Sequence, residues 1–454
     1  MTAVKPSRSL MTAAGVAAVV LAGCTGLPAT GELDAQQDLA AVGGRFQQGM
    51  GLPAPGADSG LDDFLRHAIL NQPQVVAAYY DWAASVRKIT VERSLPDPSL
   101  TLSADVTRTV EALMPGLMMD LPGPGKLQAA AGVATAESHA KYFTFETKVL
   151  EAAFALKKAY YELHFLDGKI RVNQETLRLA NDTEQLAKTQ NEAGKVTLQD
   201  VLRAQMEQDR LLSEIENLED ARNPLIAQFK AALGLKRSDP TPPVPRRFQS
   251  TPLNLASEEL ITAALARNPR LHAMEAEVQG ADAALRLAYK GGVPDFSLGI
   301  EADVEATPTM VTPALSMTLP IWRDKIAAQI AAAQEAKAAS EARVSAEEIG
   351  LAVEFSEKAF MVREAGRSLT LLQDRLLPKA RQSVEVAQTS YASGKEGFLS
   401  LLEAQRTLRE LQLSEVDSLL QRELALAELS TVVLAKQPRG SPALPATAQT
   451  AASP

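Results

Sequence analysis

Two hydrophobic rhythms alternate along this chain, and the whole alternation occurs twice. Leu100, Leu102, Ala104 and Val106 are interleaved with Thr101, Ser103, Asp105 and Thr107, a period of two that predicts a strand at about 99–107. Past a short turn at 109–111, Leu113, Pro115, Leu117, Met119 and Leu121 alternate with Met114, Gly116, Met118 and Asp120, predicting a partner strand at about 112–121. The rhythm returns at about 296–305, where Phe296, Leu298, Ile300, Ala302 and Val304 alternate with Ser297, Gly299, Glu301, Asp303 and Glu305. Its partner at about 310–319 sets Val311, Leu315, Met317 and Leu319 against Thr312, Ser316 and Thr318. Around these hairpins the period lengthens to that of helices. A helix is predicted over 61–94 with Pro73 near its start. The strand-free stretches 126–191 and 325–392 could each run on the order of 100 Å as helix. Pro378 must kink the second or mark a boundary in it. Both stretches end at a Gly-Lys pair, Gly194-Lys195 and Gly394-Lys395, where glycine can take the left-handed conformation that closes a helix. A returning helix follows, with Leu198, Leu202, Leu212, Ile215, Leu218, Leu225, Phe229 and Leu233 striped for packing against neighbours.

The doubling is visible residue by residue. The run 96–106 matches 294–304 at seven of eleven positions, an offset of 198. Thr189, Gly194, Lys195, Leu202, Ala204 and Gln205 recur 200 residues later as Thr389, Gly394, Lys395, Leu402, Ala404 and Gln405. Pro73 pairs with Pro269, and Lys158-Ala159-Tyr160 with Lys358-Ala359-Phe360. The chain is therefore expected to be a tandem repeat, 61–235 and 257–436, each reading helix, strand, strand, long helix, helix, around a Pro-rich linker at 236–256. The Gly/Pro/Gln-rich lead 24–60 is expected to be irregular and the Ala/Pro tail 437–454 disordered.

Composition sharpens this picture in two places. Aromatic residues make up only 5% of 454 residues while Ala, Leu, Glu and Gln crowd both halves, as in long helices. Residues 1–23 read as a secretory signal, with Lys5 and Arg8 ahead of an apolar run too short to span a bilayer. The Leu21-Ala22-Gly23-Cys24 sequence that follows resembles a bacterial lipobox, which makes Cys24, the only cysteine, the expected lipid attachment site. Acylation there would be a sufficient anchor. Thr25 stands where an Asp resembles an inner-membrane retention signal, so the outer membrane is favoured. Loss of two cations with the signal takes the net charge from −9 to −11, against a nucleic-acid partner.

Four strands cannot close a barrel in lipid, because small barrels need about eight and open edges are forbidden there. The chain must then oligomerise, and three copies would supply twelve strands. The predicted class is mainly α with a small transmembrane β part, a trimeric twelve-stranded β-barrel continued by a long α-helical barrel. The duplicated element order resembles the TolC-like outer-membrane efflux proteins. So do Leu376-Leu377-Pro378-Lys379-Ala380, Tyr391-Ala392-Ser393-Gly394-Lys395 with Leu402-Glu403-Ala404-Gln405, and Leu319-Pro320-Ile321-Trp322. The resemblance covers 61–436. It implies a homotrimer in the cell outer membrane, extending into the periplasm to meet an adaptor (membrane fusion) protein and an inner-membrane pump, and serving as a passive exit duct.

Site expectations follow. Asp105, Asp120, Glu301, Asp303 and Glu305 fall in the polar rows of the strands and would line a cation-favouring lumen. A soluble amphipathic sheet would carry the same acidic face. Gly194, Lys195, Asp200, Gly394 and Lys395 would form the periplasmic tip that the resemblance links to adaptor docking and the aperture. Asp200 has Ser400 as its counterpart, and plain helix punctuation fits the same residues. His67, His139, His164 and His272 are scattered without ligand spacing, so no metal site, cofactor or enzyme chemistry is expected. Gly123-Pro124-Gly125-Lys126 lacks the spacing of a phosphate loop and reads as a strand-to-helix break. The alternative class is a periplasmic coiled-coil lipoprotein or adaptor without a pore, for which two membrane-length hairpins have no use. Drugs, metal cations or a secreted protein all remain open as cargo.

Overall fold

The computed structural model describes residues 30–49, 55–56, 58–106, 110–244, 248–251, 262, 264–303, 306 and 308–444. In chain order these form helices α1 (Thr30–Gly49), α2 (Leu61–Asn71) and α3 (Pro73–Arg93), strands β1 (Ser99–Val106) and β2 (Val110–Leu121), then α4 (Lys126–Glu192) and α5 (Leu198–Ala232). The second repeat supplies α6 (Pro269–Tyr289), β3 (Phe296–Asp303), β4 (Met310–Met317), α7 (Arg323–Leu371), α8 (Leu377–Ala392) and α9 (Phe398–Glu428). At 67 residues α4 is about 100 Å long.

Proline sets the first break. The stretch expected as one helix over 61–94 is two, because the residue before a proline is pushed out of the α region. Gln72 is extended at φ −68°, ψ 121°, and its Oε1 accepts from Gln74 N–H at 2.6 Å and Val75 N–H at 3.1 Å, capping α3 with Pro73 at its first position. Asn268 repeats the device for α6, its Oδ1 accepting from Arg270 N–H at 2.9 Å ahead of Pro269. Farther on, Pro378 leaves a carbonyl of the preceding turn without a donor, and the chain answers with a π turn, Leu372–Leu376, between α7 and α8.

The core sits where α1, α2, α3, the first half of α4 and the end of α5 meet. Trp82 packs on Tyr142 and Phe145 with ring centroids 5.0 and 6.0 Å apart, Phe46 of α1 stacks on Tyr79 at 4.8 Å, and Phe64 meets Phe229 at 5.8 Å. Two expectations are corrected here. The lead is not irregular throughout, since 30–49 is helical with Ala35, Leu39, Val42 and Phe46 buried at spacings of three and four. Glu32, fully buried, ties that helix to α3 through Arg93 Nε at 2.5 Å and Thr90 Oγ1 at 2.7 Å. The tail is not disordered from 437 either. Arg45 Nη1 donates to Ala443 O at 2.7 Å, Leu444 N–H to the Tyr142 hydroxyl at 2.9 Å, and both tail residues are buried. Residues 1–29, including Cys24, and 445–454 lie outside the described residues.

Candidate channel wall and tip

The four strands form one antiparallel sheet in the order β1-β2-β3-β4, leaving β1 and β4 as edges. Directly opposed residues share a face, so register decides what the sheet presents. Leu100 lies opposite Leu117, Leu117 opposite Ile300, and Ile300 opposite Pro313; Met119, Leu298 and Leu315 form a second such row. One face is thus a continuous apolar surface. It is uncovered by the rest of the chain: Leu100 is 82% exposed, Leu102 69% and Leu315 72%. A patch of this size on a water-facing surface would be an aggregation site, whereas hydrocarbon is its natural solvent.

The other face carries Thr101, Ser103, Asp120, Ser297, Glu301, Asp303, Thr312 and Ser316, with Met114, Met118 and Met310 among them. Asp120 accepts from Ser297 Oγ at 2.6 Å across the strand pair. Glu301 and Thr101 close over Gly116, where an added Cβ would come within 2.7 and 2.5 Å of them. Asp303 accepts from Ala306 N–H at 3.2 Å. Asp105 lies opposite Ala112 in the backbone register, beside a bulge; its side chain and all of Glu305 lie outside the described residues. Three of the five acids expected in the lumen, Asp120, Glu301 and Asp303, are therefore seen on the polar face.

Where sheet meets helix, the Gly123-Pro124-Gly125-Lys126 break is built around Asp295. Its Oδ1 accepts from Gly123 N–H at 2.7 Å and from Lys126 Nζ at 2.8 Å, while its own N–H donates to Thr318 Oγ1 at 2.8 Å. The Lys126 hydrogen bond holds the Asp295 carboxyl below the usual carboxylate range against the opposing effect of burial. Sequence reasoning gave Asp295 no role, although its place in the duplicated Pro-Asp motif marked it.

At the far end the two Gly-Lys turns are near copies. Gly194 (φ 67°) and Gly394 (φ 72°) are left-handed, and in each turn the lysine N–H reaches back 2.9 Å to the helix, Lys195 to Gln190 O and Lys395 to Ser390 O. The turns lie side by side. Gln190 Nε2 donates to Ala392 O at 3.0 Å, and Ala204, Ala387, Tyr391, Phe398, Leu401 and Leu402 form one cluster beneath them. Lys195 and Lys395 are exposed. Asp200 is partly buried, 3.7 Å from Arg203, and its charge adds to burial in raising the pKa of the Tyr391 hydroxyl, which belongs to the other repeat. Ser400, the counterpart of Asp200, is exposed. Among the described residues no helix is long and apolar enough to cross a membrane, and no cluster of three His, Cys, Asp or Glu side chains is placed to hold a metal ion.

A sheet with one bare apolar face, continued by 100 Å helices (about 1.5 Å per residue over the 67 residues of α4), defines a membrane-inserted, duct-forming class of protein. The family model for outer membrane efflux proteins matches residues 64–235 and again 260–433, and the chain belongs to that family. The double match is the tandem repeat, and the chain is an outer-membrane efflux channel subunit. Its sequence is 23% identical over 330 residues to the cobalt-zinc-cadmium resistance protein CzcC of Cupriavidus metallidurans, covering 70% of this chain and 76% of the relative. The fold is similar to that of CusC (TM-score 0.73, 15% identity, 85% of this chain and 95% of that one) and of VceC from Vibrio cholerae (TM-score 0.68, 18% identity, 82% and 95%).

Proposed function

We propose that three copies of this chain close a twelve-stranded barrel in the outer membrane, and that the helices form a periplasmic tube through which a partner pump and adaptor expel their cargo. The observation that carries this reading is the sheet: four antiparallel strands with a bare apolar face, a polar face and two open edges. Lipid requires the edges to be paired, and further copies of the chain are the simplest source of strands. Anchoring through an acylated Cys24 holds the mature chain at the same membrane, supported by the Leu21-Ala22-Gly23-Cys24 sequence. The Gly194 and Gly394 turns, with Lys195, Lys395 and Asp200, form the adaptor-facing end of the tube, supported by their side-by-side placement. No catalysis is assigned to the chain; energy comes from the pump.

For cargo, divalent metal cations are favoured over drugs. Asp120, Glu301 and Asp303 on the polar face would attract cations, and the curated relative is named for cobalt, zinc and cadmium resistance. Purified protein in planar bilayers tests the duct: discrete cation-selective conductance is expected, and an inert protein sinks the reading. Mass spectrometry of the N-terminal peptide tests the anchor, where a free thiol on Cys24 would remove it without touching the duct. A deletion strain challenged separately with zinc, cadmium and organic antibiotics distinguishes the cargo classes.

A further inference from the structure

The seam between the two repeats of one chain is a template for the seam between chains. Inside the chain β2 pairs with β3, and at the helix end of that pairing Asp295 holds Gly123 N–H and Lys126 Nζ. Asp295 belongs to the Pro-Asp pair that opens the duplicated strand motif, and its counterpart 198 residues earlier is Asp97. Lys126 is the first residue of α4; the lysine at the start of α7 is Lys325, its third residue, one position past Asp324, which the 198-residue offset sets against Lys126. These counterparts sit at opposite edges of the sheet, Asp97 leading into β1 and Lys325 following β4. Both are exposed, and among the described residues neither has an ion pair or side-chain hydrogen bond.

We propose that Asp97 of one copy clamps Lys325 of the next copy, so that the interchain seam repeats the Asp295–Lys126 clamp of the intrachain one. The proposal rests on the reading above, in which copies of the chain close a ring. Charge is complementary, each edge carrying the half that the other lacks. Register agrees as well. Carrying the β2–β3 register across by 198 residues on both strands sets Met317 of one copy opposite Leu100 of the next, and Leu315 opposite Leu102. Apolar rows then meet apolar rows, whereas a slip of one residue would set each against a polar position.

The two seams differ at one point. A Cβ added at Gly123 would lie 2.4 Å from Pro294 O, so the intrachain seam closes by backbone contact at a glycine. The matching position at the outer edge is Ile321, followed by Trp322, 66% and 72% exposed in the single chain. The interchain seam therefore cannot copy the backbone contact. It stands wider, spanned by the long Lys325 side chain and sealed by Ile321 and Trp322 against the neighbouring copy.

Charge reversal in the full-length protein, purified from membranes in detergent, tests this. Asp97→Lys and Lys325→Asp should each raise the dissociated fraction several-fold at a temperature where only a small part of the wild-type oligomer is dissociated, and the double exchange should return it to the wild-type value. A second readout does not depend on stability: a short bis-maleimide should link chains carrying Asp97→Cys and Lys325→Cys together, while either single replacement gives no product beyond wild type. An oligomer indifferent to the single exchanges, unrescued by the double, or not linked through the cysteine pair overturns the clamp. A wild-type chain that is monomeric overturns the ring reading itself, before any variant is compared.

Discussion

Gln190, in the last turn of α4, donates from its side-chain amide to the carbonyl oxygen of Ala392, the last residue of α8, at 3.0 Å. The end of the first long helix is thereby fastened to the equivalent point in the second repeat, 202 residues away. Buried Gln405 extends the link by donating to Thr183 Oγ1 at 2.9 Å. A perturbation in one Gly-Lys turn is thus felt by both.

Valine at Gly194 or Gly394 should strain the turn by about 1 to 2 kcal/mol each, because a β-branched residue resists the left-handed conformation. An added Cβ meets no atom within 4 Å at either site, so the cost is backbone conformation alone. Asparagine, which enters that region more readily, should be nearly silent. Export assays should show valine variants impaired and asparagine variants close to wild type, with oligomer yield unchanged in both.

Asp200→Ala should lower the preference for cations in bilayer recordings, read as a shift in reversal potential under a salt gradient. Its pairing with Arg203 at 3.7 Å is loose, so the carboxylate would add negative charge to an aperture at this end of the tube. An unchanged reversal potential would make Asp200 a helix-start residue and nothing more.

Arginine at Leu102 or Leu298 should block assembly in the membrane. Both side chains stand on the bare apolar face, and a cation near mid-bilayer costs about 2 to 4 kcal/mol per chain. Arginine at Thr101, on the opposite face, is the matched control and should assemble.

Much of this architecture is legible from periodicity. Strands with one polar and one apolar face are written locally, as in Leu100 to Ala104, and a Gly-Lys turn carries its own backbone chemistry. The parts that escape a reading of sequence are those whose partners are distant. The helix at 30–49 looks irregular because its Gly- and Gln-rich composition gives it little local stability; Phe46 on Tyr79 and Glu32 on Arg93 hold it in place. Ala443 and Leu444 are ordered by Arg45 and Tyr142, 398 and 302 residues away. Asp295 likewise became meaningful only once Lys126 was seen beside it. In each case the missing information is a pairing, which no window of residues contains.

Arg93→Ala should be among the more damaging substitutions in the helical part. Glu32 is fully buried, and removing its guanidinium partner strands a carboxylate away from water, a loss of about 3 to 5 kcal/mol when a buried pair is broken one-sidedly. Glu32→Gln in the same background removes the stranded charge and should recover part of the loss. Thermal unfolding of wild type, single and double variants checks both statements.

The Asp295 clamp should make part of the stability acid-labile, and the sign follows from the direction of its shift. Its carboxyl sits below the ordinary value of 3.8 in the folded chain, chiefly through the Lys126 hydrogen bond. A depressed folded value means the ionised form binds more strongly in the native state than in the unfolded one. The contribution is then fully present above the unfolded value and is lost as pH falls through the folded one. Because the Asp295 side chain is 41% exposed, solvent screening keeps the pair in the range of about 0.2 to 1 kcal/mol. Asp295→Asn should therefore be less stable than wild type by a small constant amount from neutral pH down to about 5, with the two curves converging below about 3.8. Denaturant unfolding at a series of pH values, repeated in high salt to weaken the pair, measures this directly; a gap that persists unchanged into strong acid would mean that the Asp295 charge is not the source of the stabilisation.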